Sequence, residues 1–411
     1  MKPITGRSFI PSYALTFTVF AVVTPYLAIM VRGLGYSPLW VGILLGIFEG
    51  SAIAGPFLFG YWADKVGNYR APIFVSCVLP VLAAIPLVRF IHPIVSALLL
   101  AALAFGFRST ASLLDAITTI RIGKSGDYGK IRAYGSISFI IFVLFLQWTP
   151  FLKPNSAKHI AFWIVATSFA VIVYLLVLPR SLFVTVEHEY DKNDGNEKGI
   201  PLLSVYFLGG FAIIFLCRFA MSSVYTYFPL YLTESLQWNA VGIMFALSSA
   251  SEVPFMFISV KLLRRFGAMP LLAVSAGGIA LRLLLWALFP YKPVIIAAQL
   301  LHSLCFGTYH PAAVQFISSV FPAKKRGIGM PMYLALGSGL PALLGNMTGG
   351  ILVESIGYRL LFAVYAGVAA IAVVIFLFVR KNSTANKIGK NFTTNDTNPH
   401  EPRGVSVEYL E

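Results

Sequence analysis

Apolar residues run along this chain in long, nearly unbroken blocks. Phe9–Met30, Ile94–Phe107 continuing to Ile120, and Leu360–Val379 are the clearest. Each is on the order of 20 residues, the length with which an α-helix crosses a hydrocarbon core about 30 Å thick. Turn signals such as Tyr36-Ser37-Pro38, Phe151–Ser156 and Pro290–Pro293 separate the blocks. Together they predict helices at 9–31, 39–62, 71–90, 94–120, 131–152, 158–179, 202–232, 239–261, 268–289, 293–320, 328–352 and 358–380. The expected fold is an all-α membrane protein, with twelve transmembrane helices in two pseudo-symmetric six-helix bundles. The bundles would be 1–180 and 201–380, joined by an acidic cytoplasmic linker at 181–200 and followed by a disordered tail at 381–411.

Composition sharpens this. Hydrophobic residues make up 58% of the chain and charged residues 11%, against about 45–50% and 25% in soluble domains. A soluble fold could not cover its surface with so few polar groups. Lys2 and Arg7 precede the first apolar block, but the block is long and has no small-residue cleavage site, so it is expected to be a span and not a signal peptide. Cys77, Cys217 and Cys305 all lie in apolar segments, which suits packing and not a disulfide framework.

The net charge of +15 raises the question of nucleic acid, and its distribution answers it. With the N-terminus inside, 22 of the 31 Lys and Arg residues fall on inner segments and the tail, six on outer loops and three within spans. This is the positive-inside pattern. It implies a multi-pass protein of the plasma (inner) membrane with both termini cytoplasmic, partnered by the lipid bilayer and not by nucleic acid.

A repeat divides the chain. Gly60-Tyr-Trp-Ala-Asp64-Lys65-Val-Gly67 follows the second predicted span, and Val260-Lys-Leu-Leu-Arg264-Arg265-Phe-Gly267 follows the eighth. Six spans duplicated to twelve is the arrangement of secondary transporters, whose substrate site lies near the midplane between the halves.

Charges within spans are the informative residues, because each costs about 2.5–3.5 kcal/mol on insertion scales and must pair or line a cavity. The candidates are Glu49, Arg108, Asp115, Arg218, Glu252 and Arg282, with His302 and His310. Arg108 and Asp115, seven apart, share a helical face about 10 Å apart along the axis; they could pair or flank a polar ligand. Arg218 has Ser222 and Tyr225 on its face, a setting suited to a carboxylate or a sugar. Glu49 and Glu252 could carry protons, since a carboxylate in low dielectric can release and recapture one near neutrality. Glu49 also stands among Gly46, Gly50 and Gly55, which suits a close helix contact. Gln299, His302, Cys305 and Tyr309 form a polar stripe, and His310-Pro311 could mark a broken helix.

The run Gly60-x-x-x-Asp64-Lys65-x-Gly67-x-x-Arg70 resembles the signature loop of the major facilitator superfamily. The resemblance implies a gating role for these five residues. Four further segments resemble the branch containing lactose permease, the nucleoside–proton symporters and the phenylpropionate permeases. They are Asp127-Tyr128-Gly129-Lys130-Ile131-Arg132-Ala133-Tyr134-Gly135-Ser136, Ser251-Glu252-Val253, Arg282, and Leu301-His302 through His310-Pro311-Ala312. That likeness implies that Arg132 and an acid near Asp115 bind substrate, as does Glu252. It places Arg282 and His302 in a proton-coupling network. One position departs from the branch: where a proton-carrying carboxylate is expected, three residues after His302, stands Cys305. A thiol, with an ordinary pKa of about 8.5, is a poor carrier at neutral pH, so coupling would shift to Glu252 or Glu49.

The sequence thus describes a proton-coupled transporter, most simply monomeric, of a small organic solute. Substrate-binding candidates are Arg132, Asp115, Arg108, Arg218, Tyr225 and Glu252; proton-coupling candidates are Glu252, Glu49, Arg282 and His302. The span arginines favour an organic (aromatic) acid; a nucleoside or saccharide is the alternative, and an exporter or uniporter of the same fold stays open. No Ser/His/Asp set, metal-ligand cluster or phosphate loop stands in the inner loops, so neither an enzyme nor a cofactor is expected. The topology predicts that a cysteine placed at Lys192 is labelled by an impermeant maleimide only from the cytoplasmic side, and one at Arg89 only from the outer side.

Overall fold

The computed structural model describes residues 6–122, 128–153, 156–184, 203–321 and 326–382. Asp127, most of the expected linker and nearly all of the expected tail lie outside them, as do the backbones of Lys324 and Lys325. Apart from one isolated bridge between Asn68 and Val184, the described residues form helices and their connections.

Six helices come first: α1 Ile10–Gly33, α2 Pro38–Val66, α3 Arg70–Leu87, α4 Pro93–Ile122, α5 Tyr128–Trp148 and α6 Ala157–Val177. Then follow α7 Val205–Leu230, α8 Val241–Phe266 and α9 Ala268–Leu288. Helix α10 (292–320) is built from Lys292–Leu300, a π-turn Ser303–Gly307, and Tyr309–Val320. Helix α11 (326–356) contains another π-turn, Tyr333–Gly339, as does the end of α7, Tyr231–Ser235, and α12 occupies 358–382. Gly357, at φ 79°, divides these two within one long helical stretch. Nine of the described helices are long and apolar enough to cross a membrane, or ten with the bent α8. The stretch Gly329–Lys381, counted there as one, has 53 residues, enough for two crossings. Counted as two, and with the interrupted α10 added, the helices number twelve.

Helix ends follow the sequence signals. Pro38 opens α2 in its first turn, where a missing N–H costs nothing. Gly67 closes it at φ 65°, with its N–H returned to the carbonyls of Ala63 and Asp64. Gly267, 200 positions later, also has positive φ, 78°, where α8 gives way to α9. Both glycines of the repeat thus take a positive φ, Gly67 in the left-handed helical region (ψ 20°) and Gly267 in an extended one (ψ 170°). Leu58, Leu98, Phe162 and Leu176 are large apolar side chains about 60% exposed, as expected where the surrounding solvent is lipid.

The chain separates into two compact units. The first contains Met1–Tyr190, Val224–Ala246 and Ala342–Gly357; the second contains Asp191–Ser223, Leu247–Pro341 and Tyr358–Glu411. In the first, α2 and α3 pack on α4, α3 also meets α6, and α1 lies against α5 and α6. The C-terminal half of α7, the start of α8 and the last turns of α11 complete this unit. Small residues bring α2 and α11 together: Gly42 lies under the Asn346 carbonyl and the Tyr227 hydroxyl, and Gly46 and Gly50 lie against Leu343. Gly-xxx-Gly spacing of this kind lets helix backbones approach in a membrane, where dispersion and polar contacts replace the hydrophobic drive. In the second unit α9 packs along all the pieces of α10.

These contacts set a test. Gly42→Leu must displace backbone at the α2–α11 seam and is expected to lower the melting temperature in detergent. Gly277→Ala, whose added methyl meets open space, is expected to leave it unchanged or slightly raised.

Candidate functional site

In the first unit four span charges resolve into two ion pairs. Arg132 Nη1 on α5 reaches Asp115 Oδ2 on α4 at 2.9 Å. Tyr13, buried on α1, donates to the other carboxylate oxygen at 2.7 Å, and Arg132 also donates to the Tyr128 hydroxyl at 3.1 Å. The Tyr13 and Tyr128 rings meet edge to face, 6.4 Å apart. One turn of α5 separates Tyr128 from Arg132, so both groups come from a single helical face. Seven residues before Asp115, Arg108 pairs with Glu49 of α2 at 3.3 Å, its guanidinium lying 5.5 Å from the Phe107 ring.

This arrangement corrects two expectations. Arg108 and Asp115 do not pair with each other; each turns to a different neighbouring helix, because a partner on an adjacent helix can approach more closely than one two turns away. Arg132, counted with the loop charges, is instead within α5 and joined to α4. The acid expected near Arg132 is indeed Asp115. Glu49 stands among glycines that pack closely, and its carboxylate is ion-paired with Arg108.

In the second unit the polar groups converge on Arg282, 1% exposed on α9. Its Nη1 lies 2.9 Å from His302 Nδ1, and its Nη2 meets Gln299 Oε1 and, at 3.4 Å, Ser248 Oγ. Ser248 also donates to Gln299 Oε1 at 2.9 Å. The guanidinium sits 4.7 Å over the Trp286 ring, one turn along α9. A guanidinium cannot accept a hydrogen bond. His302 Nδ1 must therefore be the acceptor, which places the ring hydrogen on Nε2. That nitrogen faces Glu252 Oε2 at 3.8 Å. Glu252, His302 and Arg282 thus form a line from a partly exposed carboxylate to a buried cation.

The π-turn at 303–307 explains a further detail. His302, Phe306 and His310 stack in parallel, with centroids 5.8 and 6.0 Å apart. An uninterrupted α-helix would rotate His310 about 80° from His302; the wider turn brings the rings into register. The break expected near His310 is real, but falls just before it, at Thr308. Cys305 is buried, its carbonyl accepting from Ser275 at 2.6 Å. Arg218 lies within electrostatic reach of Tyr309 and Tyr333, and Tyr309 donates its hydroxyl to the Ile214 carbonyl at 3.1 Å. Ser222, expected beside Arg218, turns its hydroxyl back to the Phe219 carbonyl. Tyr225, half-buried, belongs to the first unit and Arg218 to the second.

At the signature loop, Asp64 takes a hydrogen bond from Tyr69 at 2.5 Å. Lys65 is exposed, and Gly60 has open space beside its Cα. Arg70 donates to the carbonyls of Leu175 and Leu176 at the end of α6. Arg121 holds the carbonyls of Ser181 and Leu182, and Tyr69 N–H reaches Phe183. The chain leaving α6 is therefore strapped to this loop.

Sequence reasoning missed the polar links at the other end of the first unit. Arg32 pairs with Glu234 at 2.7 Å, joining the ends of α1 and α7. Glu354 accepts from Leu39 N–H at 3.0 Å and Ser37 at 3.1 Å, so the end of α11 caps the start of α2. Gln147 at the end of α5 accepts from Gly242 N–H at 2.8 Å and donates to Asn239 at the start of α8. Asn346, 1% exposed on α11, takes bonds from Thr226 and Tyr227 of α7. These residues lie up to 317 positions apart, and no local pattern announces them.

Residues 11–364 match the family described as the MFS_1 like family. The chain belongs to this family. It is 25% identical over 272 residues to the maltose permease of Geobacillus stearothermophilus, covering 64% of this chain and 66% of the permease. It is 23% identical over 317 residues to a probable 3-phenylpropionic acid transporter of Escherichia coli (strain K12), covering 75% and 80%. The crystal structure of the nucleoside transporter NupG superposes with a TM-score of 0.74 at 18% identity, over 93% of this chain and all of that one, a likeness of fold. The chain is thus an integral membrane transporter of the major facilitator fold.

The pairing predicts a pattern of coupling. Asp115→Asn and Arg132→Gln should each lower the melting temperature more than the double variant does, because each single change strands a charge in the span. Arg108→Gln with Glu49→Gln should behave alike, whereas Arg108→Gln with Asp115→Asn should be additive.

Proposed function

We propose that this transporter moves a small organic anion together with protons, by alternating access in the plasma membrane, with both termini cytoplasmic. Its two halves, 1–180 and 201–380, would be the moving bodies, with the linker at 181–200 between them.

The observation that carries the anionic substrate is the balance of span charges. In the first unit Arg108 and Arg132 face Glu49 and Asp115, each in a pair. In the second, Arg218 and Arg282 stand against one span carboxylate, Glu252. An arriving carboxylate would neutralise the extra positive charge, a gain that grows as water is excluded. Arg218, with the hydroxyls of Tyr309 and Tyr333 nearby, is the natural anchor. The likeness to a probable 3-phenylpropionic acid transporter favours an aromatic acid.

Coupling would run through Glu252, His302 and Arg282. With Nδ1 held by Arg282, His302 presents a hydrogen to the Glu252 carboxylate. Protonation of Glu252 would loosen that contact and free the face of α8 that bears it. The Arg32–Glu234, Glu354–α2 and Gln147–α8 links would form the outer gate. Partly exposed polar contacts of this kind are individually worth about 0–1 kcal/mol, so a gate built from a few of them can open at modest cost. Asp64, Lys65, Gly67 and Arg70, with Gly60, would serve the inner side.

A second reading rests on Tyr13, Asp115, Tyr128 and Arg132. This alternation of donors and acceptors suits the hydroxyls of a saccharide or nucleoside, in keeping with the likenesses to a maltose permease and a nucleoside transporter.

Reconstituted protein with a pH dye inside the vesicles separates the readings. Aromatic acids, nucleosides and saccharides would be added in turn, with empty liposomes as the control for passive entry of weak acids. The proposal expects acidification inside with an organic acid, reduced at least about tenfold in Glu252→Gln, while exchange of labelled for unlabelled ligand persists. Flux with saccharides or nucleosides alone would favour the second reading. Ligand uptake without any proton movement would refute coupling.

A further inference from the structure

Away from all these charges, the first unit contains a small pocket bounded by α1, α3, α4 and α6. Thr16, Cys77, Pro80, Phe107, Thr110 and Ser168 are among the residues that line it. Thr16 and Ser168 are each 2% exposed, and neither Thr16 Oγ1 nor Ser168 Oγ has a hydrogen-bond partner among the described residues.

That is unusual for hydroxyls on helices, which ordinarily bond to a carbonyl one turn back. Their neighbours do so: Thr18 donates to Leu15 O at 2.7 Å, and Thr167 to Trp163 O at 2.7 Å. Thr16 and Ser168 do not, and both residues line the pocket. Thr110, on its wall, already bonds to Gly106 O and Ser76 Oγ, with Cys77 Sγ at 3.5 Å. In a bundle surrounded by lipid, bulk water cannot satisfy such groups from outside.

We infer that this pocket is a built-in water site, in which one resident water bridges Thr16 on α1 and Ser168 on α6. The space suits about one water molecule, and the lining offers the two or more polar partners that a buried water requires. The donor set excludes charged occupants. No carboxylate lines the pocket to hold a metal cation, and no basic group lines it to hold an anion. The water would tie α1 to α6 across the face that α3 and α4 cover, stiffening this group of helices as one body.

The test is a thermal-stability series on the full-length protein in one detergent, with Thr16→Val, Ser168→Ala, their double variant and Thr16→Ser. A bridging water predicts that each single apolar variant melts lower by about 2–4 °C. The double variant should melt no lower than the worse single one, because one shared water is lost only once. Thr16→Ser should outperform Thr16→Val, although valine keeps the volume. A dry pocket reverses the signs: removing an unsatisfied hydroxyl raises the melting temperature, and valine outperforms serine. Either reversal, or strict additivity, overturns the inference. If the variants fail to express, a wild-type map at a resolution that orders water decides it: density between the two hydroxyls supports the site, and clean absence refutes it.

Discussion

A charge inside a bilayer has to be answered by another charge, by hydrogen bonds or by a ligand, and the arrangement of this protein's helices follows from how that is done. Helix α4 carries a cation and an anion two turns apart, and each is answered from a different side: Arg108 by α2, Asp115 by α5. The two pairs pin three helices in register. In the second unit the answer to Arg282 is mostly neutral, from Ser248, Gln299, His302 and the face of Trp286. A buried cation dispersed over neutral acceptors and an aromatic ring is the second unit's counterpart of those ion pairs, with Glu252 at the far end of the line.

The backbone follows this division only in part, since a π-turn, Tyr231–Ser235, also closes α7 in the first unit. The regular, glycine-lined contacts of α2 with α4 and α11 belong to the first unit. The π-turns of α10 and α11 belong to the second, where they bring His302 and His310 into line and place Tyr333 beside Tyr309. A π-turn widens the helix by one residue and often marks a site where side-chain placement outweighs helical regularity.

Much of this was legible in the sequence. Apolar length and turn residues gave the helices, usually within three or four residues at their ends. The positions of Gly67 and Gly267 showed the repeat that their backbone angles echo. Span charges are few, so the candidates could be named one by one, and the Asp115–Arg132 and Arg282–His302 associations follow the resemblance of those segments to a transporter branch. What could not be read was partnership across long separations. Nothing near Asp115 points to Tyr13, 102 positions away. Nothing near Ser37 points to Glu354. A helical face predicts which residues look the same way, not which helix they look at, and for that reason Arg108 was set beside Asp115 and Ser222 beside Arg218. The π-turn was also hidden, since no residue type specifies it.

The central claim is that binding an anion and protonating the second unit are one event. Calorimetry of ligand binding to the purified protein, repeated in buffers of differing ionisation enthalpy, measures the protons taken up per ligand bound. The account predicts close to one proton taken up by the wild-type protein at neutral pH and none by Glu252→Gln. Tight binding with no proton uptake in the wild type, or unchanged uptake in the variant, would contradict it.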